Sequence, residues 1–202
     1  MSASFLALVL AIQPAAPPTV AEVQQWFEAG QYEQVVAAPQ TDPMVLYLIG
    51  LSYERLERLD DAHQAYRGLA DRGDADPWAL VSRAAIALAT PTAGDVTPEA
   101  LAEADVSVQQ AVDADPGLAV AHYQRGIVEA YKEDHTTAAA AFEQAATLDP
   151  GFAYAYYYGG LSYSRIDRTD QMAIHFERFL RLAPDAPEAG RVESLMRSVR
   201  GR

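Results

Sequence analysis

Apolar residues recur along this chain at helical spacing, in blocks interrupted by Gly, Pro and Asp. Residues 19–38 predict a helix, a turn at Gly30 and a short second helix stopped by Pro39, with Trp26, Phe27 and Tyr32 as apolar contacts. At the other end Val192, Leu195, Met196 and Val199 share one helical face, and Pro187 stands in the first turn, where its missing N–H costs nothing. Between these ends the pattern has a period. Asp115-Pro116, Asp149-Pro150 and Ala183-Pro184 close similar phrases at intervals of 34 residues. Gly126 and Gly160 keep the same interval, as do Gly50 and Ala84. From Ala84 to Gly126 the interval is 42, so about eight residues are inserted. Residues 90–97 (TPTAGDVT) supply them as a Pro/Gly loop, with Thr97 as N-cap and Pro98 as first helical residue of the next helix.

The residues between these landmarks repeat as well. Residues 119–152 carry Gly126, Ala138, Phe142, Ala145 and Pro150; residues 153–184 carry Gly160, Tyr163, Met172, Phe176, Phe179 and Pro184. Residues 43–76 carry Gly50, Tyr53, Ala62, Tyr66 and Leu69, with Gly73-Asp74-Ala75-Asp76 in place of the closing proline. Residues 77–116 carry Ala84, Ala104, Val108, Ala111 and Pro116. In this pattern and length the chain resembles the tetratricopeptide repeat family. A small residue in the first helix admits the second, whose alanines are expected to mesh against it while its aromatic fills space toward the next hairpin. Pro ends the second helix.

The resemblance implies an all-α, right-handed superhelical solenoid of antiparallel helix hairpins with a C-terminal capping helix, because one hairpin cannot bury its apolar face alone. Its expected parts are a degenerate first repeat at 19–42, repeats at 43–76, 77–116, 117–150 and 151–184, and the cap at 187–200. The resemblance also implies a protein–protein interaction scaffold whose concave face, lined by the first helix of each hairpin, holds a partner peptide or helix. Carried onto this sequence, that face takes Tyr47, Leu48 and Leu51 from the first full unit and Trp78 and Val81 from the second. Tyr123, Gln124, Ile127 and Tyr131 come from the third, and Tyr154, Tyr157, Tyr158 and Leu161 from the fourth. Two readings of these rings stand side by side. Tyrosines suit an interface core, and they also suit packing between hairpins. Family members that clamp an acidic carboxyl terminus use Lys, Arg and Asn on this face; this chain has no Asn, and Arg55 and Arg165 are the cations near the surface named.

Charge narrows the partners. The formal net charge is -13, which argues against nucleic acid, whose phosphates need clustered Lys and Arg. Residues 1–164 hold 22 acids against 7 bases, while 165–202 hold 8 arginines against 6 acids. There is no cysteine, hence no disulfide, thiolate ligand or cysteine nucleophile. Residues 1–18 contain an apolar run, Phe5–Ile12, too short to span a bilayer, which takes about 20 residues. Followed by small residues, it resembles a secretory signal and predicts a periplasmic or secreted protein, with the cytoplasm as the alternative. The lack of Cys and Asn and the single Lys predict a bacterial source.

Chemistry is sparse. His122 is expected to be an interior histidine, His135 lies in a hairpin turn, and His63 and His175 lie on second helices among polar neighbours. None has metal-ligand spacing, and no phosphate-binding Gly loop or nucleophile elbow is present, so no metal, cofactor or catalytic residue is predicted. Arg125 is expected to pair with Glu129 or with an acid of a neighbouring helix. The rival functions are a structural or self-assembling envelope module using the Tyr surface and, further off, an enzyme with a non-local site.

Overall fold

The computed structural model describes residues 16–39, 41–89 and 96–200. Over these residues the protein is all-helical, with eleven helices and no strand. They are α1 (Val20–Glu28), α2 (Tyr32–Val36), α3 (Pro43–Arg55), α4 (Leu59–Ala70), α5 (Pro77–Leu88), α6 (Pro98–Ala114), α7 (Ala119–Tyr131), α8 (His135–Leu148), α9 (Ala153–Arg165), α10 (Thr169–Leu182) and α11 (Ala189–Arg200). Consecutive helices pair into hairpins, and each hairpin packs on the next to build the solenoid. The whole apolar run and most of the inserted loop lie outside the described residues, which omit 1–15 and 90–95.

Side chains set the helix starts. Thr19 and Glu22 form a capping box on α1. Asp42, Asp76 and Thr97 accept from backbone N–H groups of the first turn of α3, α5 and α6, and a proline follows each cap. Within the hairpins the chain reverses through one left-handed residue. Glu57, Glu133 and Asp167 have φ of 57°, 61° and 56°, and Gly30 at 71° takes the same place between α1 and α2. Each is locked by a backbone bond spanning the turn, such as Arg58 N–H to Tyr53 O at 2.8 Å and Gln31 N–H to Trp26 O at 2.8 Å. Between hairpins, Asp115 and Asp149 each accept from the N–H of the glycine two residues on, at 2.9 Å in both.

The close approach within a hairpin differs from the expected one. An aromatic ring of the second helix lies over the glycine of the first: Tyr66 over Gly50, Phe142 over Gly126, Phe176 over Gly160. The ring always stands sixteen positions after its glycine. A Cβ on Gly126 would stand 2.6 Å from Phe142 Cε1, and one on Gly160 2.5 Å from Phe176 Cδ1. The ring thus fills the notch of its own hairpin instead of reaching only toward the next, and the alanines pack beside it. The α5–α6 hairpin keeps the volume by exchange. There the glycine is Ala84 and the ring is Val108, both buried in one small cluster.

Three further expectations change. Glu129 does not pair with Arg125 but binds Lys132 at 3.0 Å, and no ion pair of Arg125 with an acid of a neighbouring helix occurs among the described residues. Arg83 instead reaches Asp74 at 2.8 Å. His175 is buried against the rings of Tyr156 and Tyr163 rather than among polar groups, with burial lowering its basicity. Pro187 precedes α11, and its ring lies against Gly30. His122 is an interior histidine, bonded through Nε2 to Pro116 O at 2.9 Å.

Candidate functional site

The inner surface of the solenoid is built from α3, α5, α7 and α9, and its ends meet. Phe27 of α1 packs on Tyr154 of α9 with ring centroids 5.2 Å apart. Arg55, at the end of α3, binds Glu188 at 2.5 Å and the Tyr158 hydroxyl at 3.1 Å, and lies over the Tyr154 ring. The Tyr154 hydroxyl donates to the second oxygen of Glu188 at 2.9 Å. Beside this seam Glu28 accepts from the Ala153 N–H; burial, helped by Asp149, pushes its carboxyl up to about 7. The first hairpin therefore closes on the last across the concave face.

Closure decides where the anticipated groove residues go. Tyr47, Leu48, Val81, Tyr123, Gln124, Tyr154 and Tyr157 are buried. Tyr47 donates to Gln124 Oε1 at 2.7 Å, joining α3 to α7 across the inside. Tyr157 packs on Phe179 at 5.1 Å, and Trp78 and Leu161 are partly buried against the core. An open tyrosine groove along the whole array is absent among the described residues, since the rings are spent on closing it. What remains open is a cavity of about 340 Å³. Leu51, Tyr123, Gln124, Ile127, Tyr131 and Tyr158 face it, whereas Tyr47, Leu48, Trp78, Val81, Tyr154, Tyr157 and Leu161 do not. Phe27, Glu54, Arg55, Ala85 and Leu88 complete most of the lining. A space of this size is at the lower end for small-ligand sites and suits one or two side chains of a bound segment.

The polar groups of the cavity are unequal. Arg55 is engaged at the seam. Glu54 accepts from the Tyr66 hydroxyl at 2.6 Å, and no cation bridges to it among the described residues. Burial pushes its carboxyl up to about 7, against the pull of Tyr66 and Arg55. Tyr131, at the rim, is 51% exposed. Burial raises the hydroxyls of Tyr47, Tyr66 and Tyr123 well above their ordinary value, so they stay neutral. Glu54 and Phe27 had no signal in the repeat register: one lies past the positions usually lining the groove, the other in the degenerate first hairpin. No group of His, Cys, Asp and Glu able to hold a metal occurs among the described residues. No helix among them is long and apolar enough to cross a membrane.

With hairpins, notches and left-handed turns in place, the fold defines a tetratricopeptide-repeat solenoid. Residues 154–186 match the family model for the Tetratricopeptide repeat. Among solved structures, a thermophilic TPR protein of Thermus thermophilus superposes with a TM-score of 0.64 at 20% identity, over 87% of this chain and 95% of that one. YrrB, described as a TPR protein with an unusual peptide-binding site, gives 0.52 at 18% identity, over 87% and 85%. No curated protein sequence matches the chain.

Proposed function

We propose that this protein is an interaction scaffold that holds a segment of a partner protein in the cavity enclosed by α3, α5, α7 and α9. The carrying observation is the cavity itself. It is the part of the concave face that closure leaves open, and five successive hairpins contribute to it, the first through Phe27. Its walls are apolar at Leu51, Ala85, Leu88 and Ile127 and carry a few polar groups, the composition expected of a recognition pocket. The peptide-binding site of YrrB on a similar fold supports the same reading.

Ile127→Glu places a charge in the cavity wall, whereas Gln110→Glu adds the same charge on exposed α6. Partners captured from the native compartment are expected to be lost with the first variant and kept with the second, helicity being equal. Identical capture by both variants refutes the cavity as the binding site.

A further inference from the structure

Glu54 is a part-buried carboxyl with no ion-pair partner among the described residues. The Tyr66 hydroxyl would donate equally well to a glutamine there, and no cation neutralises the group among the described residues. Arg55, next in sequence, is turned away to Glu188 and Tyr158. A carboxyl held in such surroundings costs stability whenever it ionises, unless something supplied from outside compensates it. The cavity in front of it supplies the rest of a receptor. Leu51, Leu88 and Ile127 form apolar walls, and Tyr131 stands half exposed at the rim, its hydroxyl raised by burial and further by the Glu54 charge. Residues 1–164 carry 22 acids against 7 bases, so the field around the cavity attracts a cation as well.

Building on the reading that the cavity takes a partner segment, we propose that it receives one long basic side chain, Lys or Arg, from that segment. The methylene stem lies on Leu51, Leu88 and Ile127, and the cationic head meets the free oxygen of Glu54 beside the Tyr131 ring. The groups that sense the Glu54 charge are Arg55 and Tyr47 on its own helix, Tyr66 from α4, Tyr131 from α7 and Tyr158 from α9. The four tyrosines are raised by burial and remain neutral in the working range, which leaves Glu54 as the cavity group that changes charge near neutrality. An entering cation keeps it ionised, so affinity rises with pH from about 5.5 to 8.

The probes are three acetylated and amidated heptapeptides, alternating Ala and Leu around a central Arg, Lys or norleucine, titrated by fluorescence anisotropy at pH 8. The Arg and Lys peptides are expected to bind about tenfold more tightly than norleucine. Glu54→Gln should abolish that difference while leaving norleucine binding unchanged. Glu57→Gln, at the exposed turn, should leave all three unchanged. Equal binding of Arg and norleucine peptides to the wild type overturns the proposal while leaving the cavity as a binding site. So does a basic-peptide affinity that does not fall at pH 5.5, a readout that needs no variant to fold. If none of the peptides binds although Ile127→Glu still blocks partner capture, the basic side chain is refuted and the scaffold reading survives.

Discussion

Replacing Gly126 by alanine tests the steric lock that repeats along the solenoid. Helix propensity alone favours the change by about 1 kcal/mol, because alanine loses less backbone entropy on folding. The added Cβ, however, would stand 2.6 to 2.7 Å from three carbons of the Phe142 ring, well inside van der Waals contact. The ring has little room to retreat. It is fully buried, stacked against Tyr158 at 5.8 Å and edge-on to Tyr123 at 5.7 Å. Overpacking of this kind costs about 1–3 kcal/mol, so Gly126→Ala is expected to destabilise by up to about 2 kcal/mol net. Gly68→Ala is the control, since nothing lies within 4 Å of the Cβ position on that exposed face of α4; it should stabilise by about 1 kcal/mol. The same substitution thus has opposite signs at two helical glycines. A third arm uses the chain's own solution, in which Ala84 faces Val108. In a Phe142→Val background Gly126→Ala should turn from destabilising to neutral or stabilising, a coupling measurable by urea denaturation and a double-mutant cycle. If Gly126→Ala stabilises the wild type as much as Gly68→Ala does, the lock is not the reason for glycine there.

Two further substitutions probe charge. Glu54 has its carboxyl raised from 4.5 to about 7, so the folded state binds the proton more tightly than the unfolded one. That contribution is fully present below pH 4.5 and is lost as pH rises through 7; at ~1.4 kcal/mol per pK unit it amounts to about 3 kcal/mol. Thermal melts should therefore show the wild type losing more stability than Glu54→Gln between pH 5 and pH 8, and parallel curves would refute the assignment. Glu28 contributes in the same direction. At the seam, Glu188→Ala removes the partner of both Arg55 and Tyr154 in a part-buried setting and should cost about 1–3 kcal/mol by denaturant unfolding. Asp61→Ala breaks the exposed pair with Arg58 and should cost less than ~1 kcal/mol; equal losses would mean that the seam pair is no more than a surface contact.

The fold class was legible because each hairpin must solve one packing problem with few residues. A small residue, a ring sixteen positions later and a breaker at the end leave a mark on the sequence in three of the hairpins. Gly50, Gly126 and Gly160 show that mark directly. The partner of the notch was less legible: alanines and aromatics both recur in the second helix, and only geometry tells which of them lies over the glycine. The candidate site was legible in part. Leu51, Tyr123, Gln124, Ile127, Tyr131 and Tyr158 face the cavity, but the burial of Tyr47, Tyr154 and Tyr157 depends on how far the solenoid winds. Winding accumulates over many small rotations between hairpins, and no single repeat encodes it. The bond from Arg55 to Glu188 spans 133 positions, beyond the reach of any local pattern.

That bond bears on cooperativity. An open array of repeats behaves as a line of units coupled to their nearest neighbours, and it can unravel from either end one unit at a time. Arg55 on Glu188 ties α3 to the segment before α11, and Phe27 on Tyr154 ties α1 to α9, so the described helices close toward a loop and unravelling from one side starts at higher cost. Partial unfolding between α3 and α10 then has to break the Arg55–Glu188–Tyr154 junction, so intermediates with some of these repeats unfolded are depopulated. A partner too large for the cavity faces the same barrier, because the array must come apart at its join before the buried tyrosines of the inner face are reached.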